Sequence, residues 1–287
     1  MQILANIVFL STFYVSFAVG LALVFGVMRT INFSHGEFYM LGGYALWLTV
    51  GLLSGSLPGG LILIIALVVG AGVVGMLGIL LQLSIFHRLR EHPFSIFMAT
   101  LGLSYVLQVS VVQTIGPMGR SIPAVFPGFV FFEGMILPIQ RLAVFGFTVA
   151  MMGGLWFFLM RTNIGRAVRA SAQNKTGAIL QGVSMNKVAL TTMFVGSGLA
   201  AMSGVLMSSV LPVSPFMGGD AIWRAFIIII VGGIGSLSGA VVAAFMFGTI
   251  DTLLTSFGAG KFTAMVDALI MLLALSFMPN GILGSRE

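Results

Sequence analysis

Apolar runs long enough to cross a membrane follow one another along almost the entire chain, and they limit the possible folds more than any other feature. The runs are roughly Ile3–Met28, Phe38–Leu53, Leu61–Phe86, Phe94–Gly116, Leu142–Met160, Val188–Leu211 and Phe262–Met278. A helix needs about 20 mostly apolar residues to cross the hydrocarbon core of a bilayer. Only 7% of the 287 residues are charged, against about a quarter in soluble domains. The sequence therefore predicts an all-α polytopic membrane protein.

One further apolar stretch, Ile222 to Leu254, is too long for a single helix. Four glycines lie between Gly232 and Gly239, and each glycine inside a helix costs about 1 kcal/mol relative to alanine. We predict a break that leaves a short segment, Ile222–Val231, of about 15 Å, followed by a second one, Leu237–Leu254. The fold would then have 8–9 transmembrane segments, including a broken or half helix near residues 222–239.

The basic residues indicate the orientation of the chain. Residues 161–187 carry five of the thirteen basic residues and no acidic one, and such loops face the cytoplasm. Counting outward places the N-terminus outside and Arg286 inside, with Met1 to Met28 as a first helix, not a signal peptide. The net charge of +6 belongs to loops between spans, so we expect no nucleic-acid partner. No hydrophilic segment is long enough for a second domain, and one transmembrane domain covers residues 1–287.

Polar residues interrupt the apolar pattern early in the chain, at Asn32, Ser34, His35, Gly36 and Glu37. A carboxylate near the bilayer centre costs about 2.5–3.5 kcal/mol and normally faces a cavity or a partner. One interpretation is a broken helix that lines a solute path. The other is a short cytoplasmic turn in which Asn32 or Ser34 caps the next helix. The residues alone leave both open.

The second break contains Gly232, Gly233, Gly235 and Ser236. These residues could bring backbone close to a solute path, or they could allow close helix packing. Polar breaks in both halves of a membrane protein point to a transport site. Asp251 and Asp267 lie in or near late spans, where each could pair with another helix or line the path.

The loop at about residues 161–187 predicts an amphipathic helix from Gly165 to Leu180. Arg166, Arg169 and Ala170 lie along it, and Gly182 stands where a helix end favours glycine. Such a helix could lie on the membrane surface or dock in a groove of a partner. The chain has no cysteine and no G-x-x-x-x-G-K-[ST] phosphate loop, so we expect neither a thiolate metal site nor an ATPase of its own. We predict no cofactor, no metal and no catalytic residue.

Four segments in order resemble a known family. They are Ile31-Asn32-Phe33-Ser34-His35-Gly36-Glu37, the loop from Gly165-Arg166-Ala167 to Gly182-Val183, Gly232-Gly233-Ile234-Gly235-Ser236, and Met278-Pro279-Asn280-Gly281-Ile282-Leu283-Gly284. The family is the LivH-like permeases of branched-chain amino acid ABC importers. The chain departs from the family at Gln173-Asn174, where an acidic residue is usual.

The resemblance implies a set of partners and a location. The partners are a second related permease, two ATP-binding-cassette ATPases that contact residues 165–182, and an external solute-binding protein. The location is the bacterial inner membrane, and the solutes are branched-chain or other hydrophobic amino acids, or a related small solute such as urea or an amide. An ion-coupled secondary transporter and a membrane assembly protein are the alternatives.

Overall fold

The computed structural model describes residues 1–132, 135–278 and 280–284, and this part of the chain contains eleven α-helices and one β-hairpin. The helices are α1 Gln2–Met28, α2 His35–Leu53, α3 Gly59–Leu81, α4 Pro93–Ile115, α5 Ile139–Arg161, α6 Asn163–Gln173, α7 Lys175–Leu180, α8 Met185–Ser208, α9 Met217–Gly232, α10 Leu237–Ser256 and α11 Thr263–Phe277. A π-helical turn, Gln82–Phe86, extends α3. The hairpin, β1 Phe129–Phe132 and β2 Met135–Pro138, lies in the connection between α4 and α5. The helical fold class is confirmed.

Seven helices of the described ranges are long and apolar enough to cross a membrane. They span Gln2–Met28, Gly59–Phe86, Pro93–Ile115, Ile139–Arg161, Met185–Ser208, Leu237–Ser256 and Gly260–Phe277. The count is lower than the predicted 8–9 because α2 and α9 do not qualify. The 16 residues of α9 reach only about 24 Å, and α2 begins with polar residues, among them Glu37.

The predicted break in the late apolar stretch is confirmed. Helix α9 ends at Gly232 and α10 begins at Leu237. Gly233 and Gly235 between them have φ of 108° and 82°, a region that glycine enters without steric cost. Ser236 caps α10 by accepting a hydrogen bond from the Gly239 N–H at 3.0 Å. The short segment is longer than predicted, because α9 starts at Met217, five residues before Ile222.

Helices α2 and α9 meet at their N-terminal ends. Gly36 and Gly218, each the second residue of its helix, pack backbone against backbone: a Cβ at Gly218 would lie 2.5 Å from the Gly36 carbonyl oxygen. We call this contact the glycine seam. Only residues without a side chain allow two helix starts to approach this closely.

The glycine seam lies deep inside the bundle, beside the middle parts of α1 and α4. The ring of His35 packs against Phe17 at a centroid distance of 5.4 Å, and Phe17 lies about 16 Å before the end of α1 at 1.5 Å per residue. Glu37 contacts Ser104 at 2.8 Å, in the middle of α4. The connection from α1 to α2 therefore turns back along α1, and α2 starts at mid-depth.

The amphipathic segment at 163–180 forms two helices, α6 and α7, where one was predicted. Asn174 leaves the helical conformation with φ −147° and ψ 99°, and its side chain caps α7 by accepting from the Gly177 N–H at 2.8 Å. Gly182 follows α7 with φ 81°, and the N–H of Val183 donates to the Ala178 carbonyl at 3.0 Å. This is the glycine helix ending that the sequence predicts.

Candidate functional site

The early polar residues form one buried cluster beside the glycine seam. Asn32, Ser34, His35 and Glu37 are each at most 1% exposed. The Ser34 hydroxyl donates to Asn32 Oδ1 at 2.7 Å, and no side chain caps α2. These residues therefore lie inside the helix bundle instead of forming a solvated cytoplasmic turn.

Glu37 connects α2 to α4. Its Oε1 accepts hydrogen bonds from the Ser104 hydroxyl and from Gln108 Nε2, both at 2.8 Å. Its Oε2 and both ring nitrogens of His35 have no hydrogen-bond partner among the described residues. The cluster thus combines a fixed carboxylate with polar atoms that can still accept a partner.

We expect Glu37→Ala to destabilise the chain by about 1–3 kcal/mol, because Ser104 and Gln108 would lose their shared acceptor inside the bundle. Glu37→Gln keeps an accepting oxygen at the same place and is expected to cost less. Apparent melting temperatures of the two variants, measured in the same lipid, test this. Equal losses in both would contradict the role of Oε1 as an acceptor.

The predicted residues of the late break divide between two environments. Gly235 and Ser236 line a cavity of about 960 Å³ whose walls come from α1, α5, α6 and α10. Gly232 and Gly233 instead contact Gly239 and the segment 280–284. The Ile282 N–H donates to the Val231 carbonyl at 2.8 Å and the Leu283 N–H to the Gly232 carbonyl at 3.0 Å, so this segment satisfies the last carbonyls of α9. Pro279 and Arg286 lie outside the described residues.

The predicted coupling residues take different positions on α6 and α7. Gly165 is buried, where a side chain would clash with the Phe158 carbonyl. Arg169 is partly buried, and its Nε donates to the Leu159 carbonyl at 3.0 Å, which fastens α6 to α5. Arg166, Ala170 and Gly182 are exposed, and Arg166 also donates to Asn163 Oδ1.

A buried ion cluster is the feature that the sequence did not reveal. Arg224 Nη1 donates to Asp251 Oδ2 at 2.5 Å and to Asp267 Oδ2 at 3.2 Å, and to the Tyr14 hydroxyl at 2.6 Å. The cluster joins α9, α10, α11 and α1. The sequence alone assigned no role to Arg224 and left both aspartates open. One arginine and two aspartates in neighbouring apolar segments are a usable signal, since charges inside membranes pair with one another.

Comparison with known proteins assigns the chain to a family. The model of the family described as "Branched-chain amino acid transport system / permease component" matches residues 3–275. The chain belongs to this family. It is similar to the high-affinity branched-chain amino acid transport system permease BraD of Pseudomonas aeruginosa, with 30% identity over the whole of this chain and 96% of that protein. LivH of Escherichia coli K12, described in the same terms, is also 30% identical, again over the whole chain and 96% of its length.

A solved structure has the same fold. It is described as PsaBC from Streptococcus pneumoniae in complex with Fab, and it superposes with a TM-score of 0.52 over 98% of this chain and 93% of that one. Identity is 14%, so the likeness concerns the fold alone. The solved structure therefore supports the fold, and the family model supports the assignment to a transport permease.

Proposed function

We propose that this chain is the membrane-spanning permease of an ATP-driven importer and that it carries branched-chain or other hydrophobic amino acids. The match to the family model over residues 3–275 carries this proposal. The substrates named for the relatives and the full-length similarity to them support it. In the orientation that the basic loop favours, the N-terminus is outside and α6–α7 face the cytoplasm of a bacterial cell.

Separate ATPase subunits would dock on α6 and α7. These helices present exposed apolar side chains, of which Leu180 is 80% and Ile179 is 50% exposed, together with the exposed Arg166. An apolar centre with an arginine beside it is typical of protein interfaces. Arg169 bonds to the Leu159 carbonyl, so it would transmit movement of α6 to α5 instead of contacting the partner.

A second permease would pair with this one along the least covered helices. Only 6% of the apolar window of Gly260–Phe277 and 22% of that of Pro93–Ile115 are buried within the chain. Helix α4 also exposes the amide side chain of Gln113, which is costly to place against lipid. An external binding protein would deliver the solute between the two permeases.

Purification of the assembled transporter from native membranes tests the function as a whole. We expect two ATPase chains and a second permease to copurify, and ATP-dependent uptake of leucine, isoleucine or valine in proteoliposomes that contain the binding protein. Uptake by this chain without nucleotide would instead support an ion-coupled carrier. Both acids of the ion cluster pair with Arg224, which leaves fewer groups for such coupling.

We expect Leu180→Asp to reduce the ATPase recovered with the permease at least about 10-fold, because a charge would replace an apolar anchor at the interface. Arg166→Glu should act in the same direction. Quantitative copurification measures both. Met118→Asp is the matched control, since Met118 is 78% exposed in the connection between α4 and α5. Equal recovery from Leu180→Asp and Met118→Asp would remove the docking assignment.

A further inference from the structure

A cavity beside the ion cluster is lined by both charged and apolar side chains. It has a volume of about 320 Å³ and lies between α1, α8 and α9, within the size range of about 300–1,000 Å³ for small-ligand pockets. The polar lining includes Tyr14, Asp220 and Arg224, and the apolar lining includes Phe13, Phe17 and Met207. None of the predicted path residues lines it.

The guanidinium of Arg224 uses only Nη1 for its hydrogen bonds to the described residues, which leaves the Nε/Nη2 edge available to a ligand. All hydrogen bonds from Arg224 within the described residues leave from Nη1, toward Tyr14, Asp251 and Asp267. Nε and Nη2 carry three further N–H groups, and the side chain is 34% exposed in the cavity wall. Two parallel N–H donors on one edge fit a carboxylate in the bidentate manner.

Asp220 supplies the opposite charge one helical turn away. Residues four apart on a helix are neighbours, with about 5–6 Å between their Cβ atoms, and Asp220 and Arg224 line the same cavity. Asp220 is exposed and makes no ion pair among the described residues. A free carboxylate beside an open guanidinium edge matches a ligand that carries an ammonium and a carboxylate on adjacent atoms.

We propose that this cavity binds the transported amino acid, with its α-carboxylate on the Nε/Nη2 edge of Arg224, its α-ammonium at Asp220, and its apolar side chain against Phe13, Phe17 and Met207. The proposal rests on the proposed function and names the site at which the permease would distinguish amino acids from other solutes. Asp251 and Asp267 hold the guanidinium in place and are positioning residues. In the proposed orientation the cavity lies in the outer half of α1 and receives solute from outside.

Binding of labelled L-leucine to the assembled transporter in nanodiscs, without the binding protein, tests the site. We expect isoamylamine, which lacks the carboxylate, and 4-methylpentanoate, which lacks the ammonium, to compete at least about 10-fold more weakly than leucine. Arg224→Lys keeps the positive charge for the two aspartates but loses the two-donor edge, and should weaken leucine binding about 10- to 100-fold. It should leave isoamylamine affinity unchanged. Asp220→Asn should weaken isoamylamine and leucine alike.

Arg120→Lys is the matched control, because Arg120 donates to the Ile115 carbonyl and does not line the cavity; it should bind leucine as the wild type does. Unchanged leucine affinity in Arg224→Lys, no preference for leucine over the two analogues, or no binding by the wild type would overturn the site. A different result would contradict the proposed function itself: the wild-type assembly, supplied with ATP and the binding protein, would take up no amino acid.

Discussion

Replacement of Arg224 with methionine is expected to lower the free energy of unfolding by about 3–5 kcal/mol, because it leaves two buried carboxylates without their cation. The Asp251 and Asp267 side chains are only 3% and 4% exposed, so water cannot replace the guanidinium. The apparent melting temperature in detergent should fall by roughly 10 °C, and the yield of folded protein should fall with it.

A triple variant distinguishes charge imbalance from lost packing. Arg224→Met combined with Asp251→Asn and Asp267→Asn removes the cation and both anions while it keeps side chains of similar size. Replacing a whole buried ion group by apolar residues is often neutral in other proteins, so the triple variant, which removes all three charges but keeps two amides, should regain a large part of the melting temperature. If the triple variant melts as low as the single one, the destabilisation comes from packing, and the electrostatic account of the cluster fails.

Gly218→Ala is expected to stop transport and to lower the apparent melting temperature by roughly 4–12 °C, from an overpacking cost of about 2–3 kcal/mol. The added Cβ would lie 2.5 Å from the Gly36 carbonyl oxygen and 2.7 Å from its carbon. Both neighbours are backbone atoms of a helix start, so no side chain can rotate away. The two helices must then separate at the glycine seam.

The adjacent glycine provides an exact control. A Cβ at Gly219 would meet nothing within 4 Å, so Gly219→Ala adds the same methyl group and the same helix propensity without the contact. Its melting temperature and ATP-driven uptake should match the wild type or exceed it slightly, because alanine favours helix. Equal behaviour of the two variants would mean that the close approach of α2 and α9 is not needed.

The parts of the fold that depend on local sequence could be predicted. Apolar runs gave the membrane helices because their length matches the bilayer. The break at Gly233 and the helix ending at Gly182 follow from backbone conformations that glycine adopts readily. The split between α6 and α7 was missed although Asn174, a good capping residue, was visible; its neighbours on both sides favour helix, so only the structure shows which tendency prevails.

The parts that depend on contacts between distant segments could not be predicted. The residues from Arg29 to Glu37 fit a surface turn as well as a segment inside the bundle, and the contacts of Glu37 with α4 decide between them. The start of α9 at Met217 was missed because Gly218, Gly219 and Asp220 weaken the apolar signal. The pairing of Arg224 with two later aspartates joins three different helices, and periodicity along the sequence does not show which helices are neighbours.

The meeting of α2 and α9 at their N-terminal ends also bears on how the membrane voltage acts on this protein. Each helix start carries about half a positive charge, and an ionised Glu37 in the first turn of α2 would bring one negative charge to the same depth. With Glu37 ionised, the glycine seam would be close to electrically balanced. A voltage acts on net charge, at about 2.3 kcal/mol per elementary charge per 100 mV. A zwitterionic amino acid has no net charge, so the field does almost no net work on it as it crosses the membrane.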